Sequence, residues 1–298
     1  LSFIDKALER AKQQKPETVD QEAAGRSQPA DKPLPVAGSV GISEPIKEIC
    51  YTVTRTVPVS FDLLAQNRLI VAGQYPVVAE EYKHLRTHIL LNTKGGEHNT
   101  LMFTGPRPDE GKTLTTVNLA ISISQEVDQT VLLVDADLRN PSIRRVFGWE
   151  NGPGLVDYLK NGIPIPDLLI HPDGLGRMVV LPGGQPATDA AELIRSPQMA
   201  ELVQELKHCY SDRYVLFDLP PILTFADAMA FAPYMDGIVL VVEAHRTPRE
   251  DIDRCLEMLK KFPLMGFVLN KTTHQEHSDY YYSYNQPTGK RFKLPWTQ

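Results

Sequence analysis

Short apolar runs recur through the middle of the chain, separated by stretches with helical periodicity. LMFT at 101–104, VLLV at 131–134, MVVL at 178–181, YVLF at 214–217, GIVLVV at 237–242 and GFVLN at 266–270 are continuous rather than alternating. A strand that is apolar at every position buries both faces, and the intervening helices supply the covering layers. The pattern therefore predicts a doubly wound α/β fold around a mostly parallel sheet. This regularity begins near residue 76 and stops after Asn270. Ahead of it, Phe3, Ile4, Ala7, Leu8 and Ala11 fall at helical spacing, predicting a short amphipathic helix over 1–15. Residues 16–45 hold five prolines among Gly, Ser, Gln and Ala and are expected to form a flexible linker. That leaves 46–75 as an N-terminal extension, 76–272 as the main domain, and 273–298 as a polar tail with one dense aromatic cluster.

Composition narrows the function classes. With 31 Lys and Arg against 37 Asp and Glu, the formal net charge of −6 argues against a protein held by nucleic-acid phosphates. A hydrophobic fraction of 42% is ample for a core. No apolar run approaches the roughly 18 residues of a membrane span. The first residues, LSFIDKALERAKQ, are charged throughout, unlike a signal peptide. Cys50, Cys209 and Cys255 lie far apart and suggest neither a zinc knuckle nor a disulfide framework. The expectation is a reduced, cytoplasmic protein.

Candidate chemistry concentrates after the first strong strand. Gly105-Pro-Arg-Pro-Asp109-Glu110-Gly111-Lys112-Thr113-Leu114 leads into a helical stretch, TLTTVNLAISIS. Strand, loop, then Gly-Lys-Thr at a helix start is the build of a P-loop, although the first glycine of the usual spacing would fall at Pro106. Free backbone N–H groups and the helix dipole would cradle phosphates. Lys112 would reach the β- and γ-phosphates, and Thr113 would ligate Mg²⁺. VLLVDADLR sets Asp135 and Asp137 just past one buried strand, and YVLFDLPP sets Asp218 past another. Carboxylates at those strand ends lie where open α/β sheets bind ligands. They could hold Mg²⁺ and its waters against a triphosphate, with one left to accept a proton. His84 and His88 stand four apart on a predicted helix but lack the glutamate of a zinc helix, so no metal site is assigned there.

As a set, PDEGKT, VLLVDADLRNP and YVLFDLPPIL…DA resemble the Walker A, A′ and B motifs of the bacterial tyrosine kinases of polysaccharide export. The resemblance extends over roughly residues 76–272. LSFIDKALERAKQ and TRTVPVSFDLLAQNRLIV are similar to the cytoplasmic, stand-alone branch associated with exosortase systems. The resemblance implies ATP and Mg²⁺ as cofactors, Asp135 as the base for a tyrosine hydroxyl, and Asp137 and Asp218 as metal supports alongside Thr113. Asn270 stands where relatives recognise adenine. Tyr280, Tyr281, Tyr282 and Tyr284 stand where the family carries its autophosphorylation sites. Glu80, Lys83 and Arg86 occupy the family's ExxRxxR subunit-contact motif, with Lys replacing one Arg, and imply a homo-oligomer such as a ring. Also implied are a separate transmembrane chain-length regulator as activator, a phosphotyrosine phosphatase, and recruitment of a cytoplasmic protein to the inner membrane.

Two departures from the pattern bear on this reading. Asp109 replaces a loop glycine and brings a negative side chain near the phosphates, so weaker nucleotide affinity is expected than in a glycine version. Arg107 stands where partitioning or positioning ATPases carry a lysine that reaches across their dimer, and it is followed by Pro108-Asp109 instead of two glycines. Such a switch ATPase is the main alternative, and a non-catalytic nucleotide-sensing scaffold the second.

Overall fold

The computed structural model describes residues 54–71, 73–93, 98–208 and 213–272. Eight strands form one sheet: β1 (Arg55–Val57), β2 (Thr100–Thr104), β3 (Thr130–Asp135), β4 (Ile170–Pro172), β5 (Met178–Leu181), β6 (Arg213–Asp218), β7 (Gly237–Glu243) and β8 (Leu264–Asn270). Their order is β1-β4-β5-β3-β6-β2-β7-β8, and every pairing is parallel except β4 with β5. The six apolar runs are β2, β3, β5, β6, β7 and β8.

Why those runs are continuously apolar is visible in the two cores. Leu101, Phe103, Val131, Leu133, Val180 and Leu216 point to one side of the sheet, where they meet α1 (Phe61–Gln66), α2 (Pro76–Asn92), α3 (Lys112–Ser124) and α4 (Ile143–Phe147). The alternate residues Met102, Leu132, Val134, Leu181 and Phe217 point to the other. There they meet α5 (Leu155–Asn161), α6 (Pro197–His208) and α7 (Arg249–Leu259). Side chains alternate faces along a strand, so two separate cores demand apolar residues at every position. Among the described residues, no helix is long and apolar enough to cross a membrane.

Residues 54–71, which the sequence pattern sets apart as an extension, join this same sheet and core. β1 pairs with β4, and Leu64, Leu69, Ile70 and Val71 are buried. The Ile70 amide donates to Asn118 Oδ1 at 2.9 Å, and Asn118 Nδ2 donates back to the Arg68 carbonyl at 3.1 Å. The packed region thus begins about twenty residues before the periodic pattern does. Pro58 and the short, irregular strand hide it from a search for periodicity. The expected helix over 1–15, the linker over 16–45 and the tail over 273–298 lie outside the described residues.

The carboxyl edge of the sheet as a candidate active site

β2 lies between β6 and β7, so the loop leaving Thr104 emerges at the middle of the carboxyl edge. Two glycines let it fold there. A Cβ on Gly105 would sit 2.4 Å from the Val241 carbonyl oxygen. Gly111 has φ +89°, and a Cβ on it would sit 2.0 Å from Asn270 Nδ2. Glu110 points inward: Oε2 accepts from the Arg107 amide at 2.8 Å and Oε1 from the Thr247 hydroxyl at 2.6 Å. Burial raises its pKa. Glu110 therefore braces the loop from inside with its side chain.

The end of β8 clamps the same loop. Asn270 Nδ2 donates to the Glu110 carbonyl at 2.8 Å, while its Oδ1 accepts from the Lys271 amide at 2.9 Å. Lys271 Nζ donates to the Asp109 carbonyl at 2.6 Å and pairs with Glu243 at 2.9 Å. Asp109 itself is exposed with φ +63°, the left-handed region that a glycine would occupy without strain. In this arrangement the Asn270 amide is engaged with the phosphate loop.

Lys112 opens α3 and is almost wholly buried, with Nζ donating to the Arg107 carbonyl at 3.2 Å. Burial lowers its pKa, against the opposing pull of Asp218, Glu110, Asp137 and Asp109. Asp135 and Asp218 are register partners at the ends of β3 and β6 and are each 1% exposed. Asp135 Oδ2 accepts from the amides of Ser142 and Ile143, both at 2.9 Å, while its Oδ1 is buried without a partner. Burial, together with the charge of Asp137, pushes its pKa up to about 7. Neither oxygen of Asp218 makes a well-formed hydrogen bond. Burial and the Asp135 charge hold it well above the usual carboxylate range, with only partial relief from Thr113 and Lys112. Asp137 is half-buried, its Oδ1 accepts from the Asn140 amide at 3.0 Å, and burial raises its pKa. The Thr113 hydroxyl lies 3.3 Å from that of Ser142.

Unpaired buried carboxylate oxygens beside a threonine hydroxyl fit a hard cation, which prefers oxygen ligands. Among the described residues no three acidic, His or Cys groups converge tightly enough to hold a metal alone. A Mg²⁺ here would be shared with waters and phosphate oxygens, as that ion prefers.

Pattern reading missed a second-layer clasp. Arg139 grips Asp227 through Nε–Oδ2 at 2.6 Å and Nη2–Oδ1 at 3.1 Å, and its guanidinium lies 4.8 Å from the Phe225 ring centroid. Asp227 is fully buried, so this fork ties the loop after Asp137 to the segment after Asp218. The arginine of DADLR and the aspartate of the DA pair were the available signals. Arg107, the position of a lysine in partitioning ATPases, is paired with Asp251 at the start of α7.

The α2 stripe divides. Glu80 and Lys83 pair at the surface at 2.9 Å. Arg86 instead turns onto the end of α3, donating to the Ser122 carbonyl at 2.7 Å and pairing with Glu126 at 2.6 Å. The four tail tyrosines lie outside the described residues.

The family model described as "ParA: NUBPL iron-transfer P-loop NTPase" matches residues 109–292. Tyrosine-protein kinase YwqD of Bacillus subtilis is 34% identical over 206 residues, covering 68% of this chain and 85% of that protein. The chain belongs to the bacterial tyrosine kinases. Its kinase fold also superposes on the kinase domain of the Escherichia coli tyrosine kinase ETK. The TM-score is 0.62 at 27% identity, covering 74% of this chain and 91% of that one. The succinoglycan biosynthesis transport protein ExoP of Rhizobium meliloti is 31% identical over 219 residues, 72% of this kinase but 27% of ExoP. A P-loop kinase of this family binds nucleotide and transfers phosphate to protein tyrosine.

Proposed function

We propose that the chain is an ATP- and Mg²⁺-dependent autokinase whose acceptors are Tyr280, Tyr281, Tyr282 and Tyr284 of a second copy. The observation that carries the reading is the trio of buried, unpartnered carboxylate oxygens on Asp135 and Asp218 beside Lys112. An unpaired buried charge is costly, and it persists where a ligand completes it. The loop residues Gly105 and Asp109 through Leu114 hold the phosphates, with Lys112 at the β- and γ-phosphates. Thr113, Asp137 and Asp218 hold Mg²⁺, which neutralises charge on the phosphates when bound. Asp135 Oδ1 accepts the phenolic proton. As the phenol oxygen bonds to the γ-phosphorus, the bond from that phosphorus to the β–γ bridging oxygen breaks and ADP departs. A carboxylate with its pKa near neutrality suits that proton transfer, and alignment with charge neutralisation does most of the rest. Asn270 keeps the loop in shape and, by resemblance, reads adenine.

The wider role we propose is control of exopolysaccharide synthesis or export, in the branch similar to exosortase-associated autokinases. The likeness to ExoP, a succinoglycan biosynthesis transport protein, supports the polysaccharide link, and the matched segment there is part of a much longer protein. A separate transmembrane activator, a phosphotyrosine phosphatase and residence in the cytoplasm with recruitment to the inner membrane belong to the same reading. So does oligomerisation through Glu80, Lys83 and Arg86, with Arg86 released from Glu126 to serve it. The test mixes the intact chain with a Lys112→Met copy in Mg-ATP and probes for phosphotyrosine. Phosphate on the Lys112→Met copy is expected, and its loss when all four tail tyrosines become Phe. ATP hydrolysis with no phosphotyrosine would mean a switch ATPase instead.

A further inference from the structure

A second concavity lies along the same sheet edge, on the side away from Asn270. The order β8-β7-β2-β6-β3-β5 sets the phosphate loop over β2, Asp218 and Asp135 at the ends of β6 and β3, and Pro182-Gly183-Gly184 beyond β5. Between this last turn and α4 with its following turn is a cavity of about 470 Å³, lined by Asp135, Arg144, Arg145, Trp149 and Gly183 among others. That volume is in the range of small-ligand pockets.

Its walls carry unmatched polar atoms. Asp135 Oδ1, Trp149 Nε1 and Arg144 Nε are all buried without a partner. The Trp149 ring is fixed by stacking on Phe147, with centroids 4.5 Å apart. Arg144 is held by its outer nitrogens, which donate to the carbonyls of Glu150 at 3.1 Å and Pro153 at 2.8 Å. The Arg145 carbonyl accepts from the Gly148 amide at 3.1 Å, but the exposed Arg145 guanidinium has no hydrogen bond or ion pair among the described residues. The set comprises one acid at the sheet edge, one aromatic wall and two adjacent cations, and nothing in the phosphate loop needs the last three.

We propose that this cavity seats the acceptor tyrosine and reads an anionic group next to it, with Trp149 lining the ring, Asp135 meeting the hydroxyl, and Arg145 backed by Arg144 pairing with the flanking charge. The assignment rests on the tail-acceptor reading above. The tail offers such charges: Asp279 precedes Tyr280, and each tyrosine that gains a phosphate becomes a dianionic neighbour for the next. Modification is therefore primed, each transfer making the adjacent tyrosine a better acceptor. A charge-assisted arginine pair with carboxylate or phosphate supplies the discrimination.

Titrating the full chain with the peptide His-Ser-Asp-Tyr-Tyr-Tyr-Ser-Tyr (residues 277–284) tests this. Three forms are compared: unmodified, phosphorylated on the residue equivalent to Tyr281, and with Asp279→Lys. Affinity should fall from the phosphorylated to the unmodified to the lysine form, spanning about tenfold or more, with a change in Trp149 fluorescence that Trp149→Phe removes. Arg145→Glu should reverse the order and Arg145→Lys should keep it. Equal affinity of the three peptides for the parent chain overturns the proposal, whatever the variants do. So does an order that Arg145→Glu leaves intact in a folded chain. Selective binding without phosphate transfer to the Lys112→Met copy would reject the autokinase reading and leave the cavity as a charge-reading tyrosine-peptide site that is not an acceptor seat. Transfer that ignores the flanking charge would do the reverse.

Discussion

At the amino end of the sheet, just before β7, Asp236 is surrounded by donors. Its Oδ2 accepts from the Thr100 hydroxyl at 2.7 Å and the Thr100 amide at 3.2 Å, and its Oδ1 from Lys207. Burial would raise its pKa, but Lys207 and Thr100 outweigh that and hold the carboxyl below its ordinary value. At the carboxyl end, Asp218 is more deeply buried with neither oxygen well bonded, and its pKa moves the other way. The same residue type at two ends of one sheet thus has opposite electrostatics. The difference teaches how a structural acid and a functional acid are told apart without a ligand. The first is satisfied by the fold, and the second is left to be satisfied by something that binds.

The contrast predicts crossed effects of one substitution. Asp218→Asn should reduce phosphotyrosine formation by about 10³-fold while leaving the melting temperature of the free protein unchanged or higher, since it replaces a carboxyl that the fold leaves unbonded and disfavours in its ionised form. Asp236→Asn should do the opposite. It strands Lys207 and should destabilise by about 1–3 kcal/mol, with transfer per folded molecule retained. Denaturant melts and a phosphotyrosine assay on both variants check this, and equal destabilisation by the two would break the comparison.

Acidity sharpens the same contrast. A carboxyl whose pKa is raised by folding keeps its proton longer in the native state. The contribution of Asp135 is therefore complete below the unfolded value near 3.9 and is lost as pH rises through about 7. Asp236, with its pKa lowered, contributes above the unfolded value and loses that contribution as pH falls through its folded one. Between about pH 5 and 8 the free protein should lose on the order of 2–3 kcal/mol through Asp135. Asp135→Asn should flatten that slope, and denaturation curves at a series of pH values measure it.

Much of this was legible in advance, and the part that was not has a physical reason. The central strands announce themselves because both of their faces are buried, Asp135, Asp137 and Asp218 because they stand at strand ends, and Lys112 because Gly-Lys-Thr opens a helix. β1 and β4 are three residues each, too short to show a period. The sequence sets Asn270 after the last strand, where relatives recognise adenine, but that its amide is bonded to the Glu110 carbonyl follows only from how β8 lies against the loop. Arg86 reads as one charge of a surface stripe, whereas its partner Glu126 lies forty residues along the chain and only packing brings it there. Sequence spacing sets which residues share a face; it does not set which of them finds a partner first.

The Asn270 clamp should be worth about 1 kcal/mol to the loop, the usual net value of one such hydrogen bond. Asn270→Ala should therefore weaken ATP binding several-fold in a protein that still folds, as a fluorescent-nucleotide titration would read. A loss no larger than that of Lys271→Ala would mean that the lysine, through the Asp109 carbonyl, is the stronger of the two ties.

The smallest effect tests the one non-glycine residue in the loop's left-handed position. Asp109 holds φ +63° at a strain of roughly 1–2 kcal/mol relative to glycine, and its side chain adds negative charge near the phosphates. Glycine would relieve both, but it would also gain freedom in the unfolded chain, which cancels about 0.5–1 kcal/mol of the benefit to stability. The charge term has no such offset in binding. Asp109→Gly should therefore leave the melting temperature nearly where it was and tighten ATP binding a few-fold. The gain should shrink as salt is added, because an exposed charge is screened. If affinity rises equally at low and high salt, backbone strain is the cause; if it does not rise at all, the triphosphate lies beyond the reach of that carboxylate.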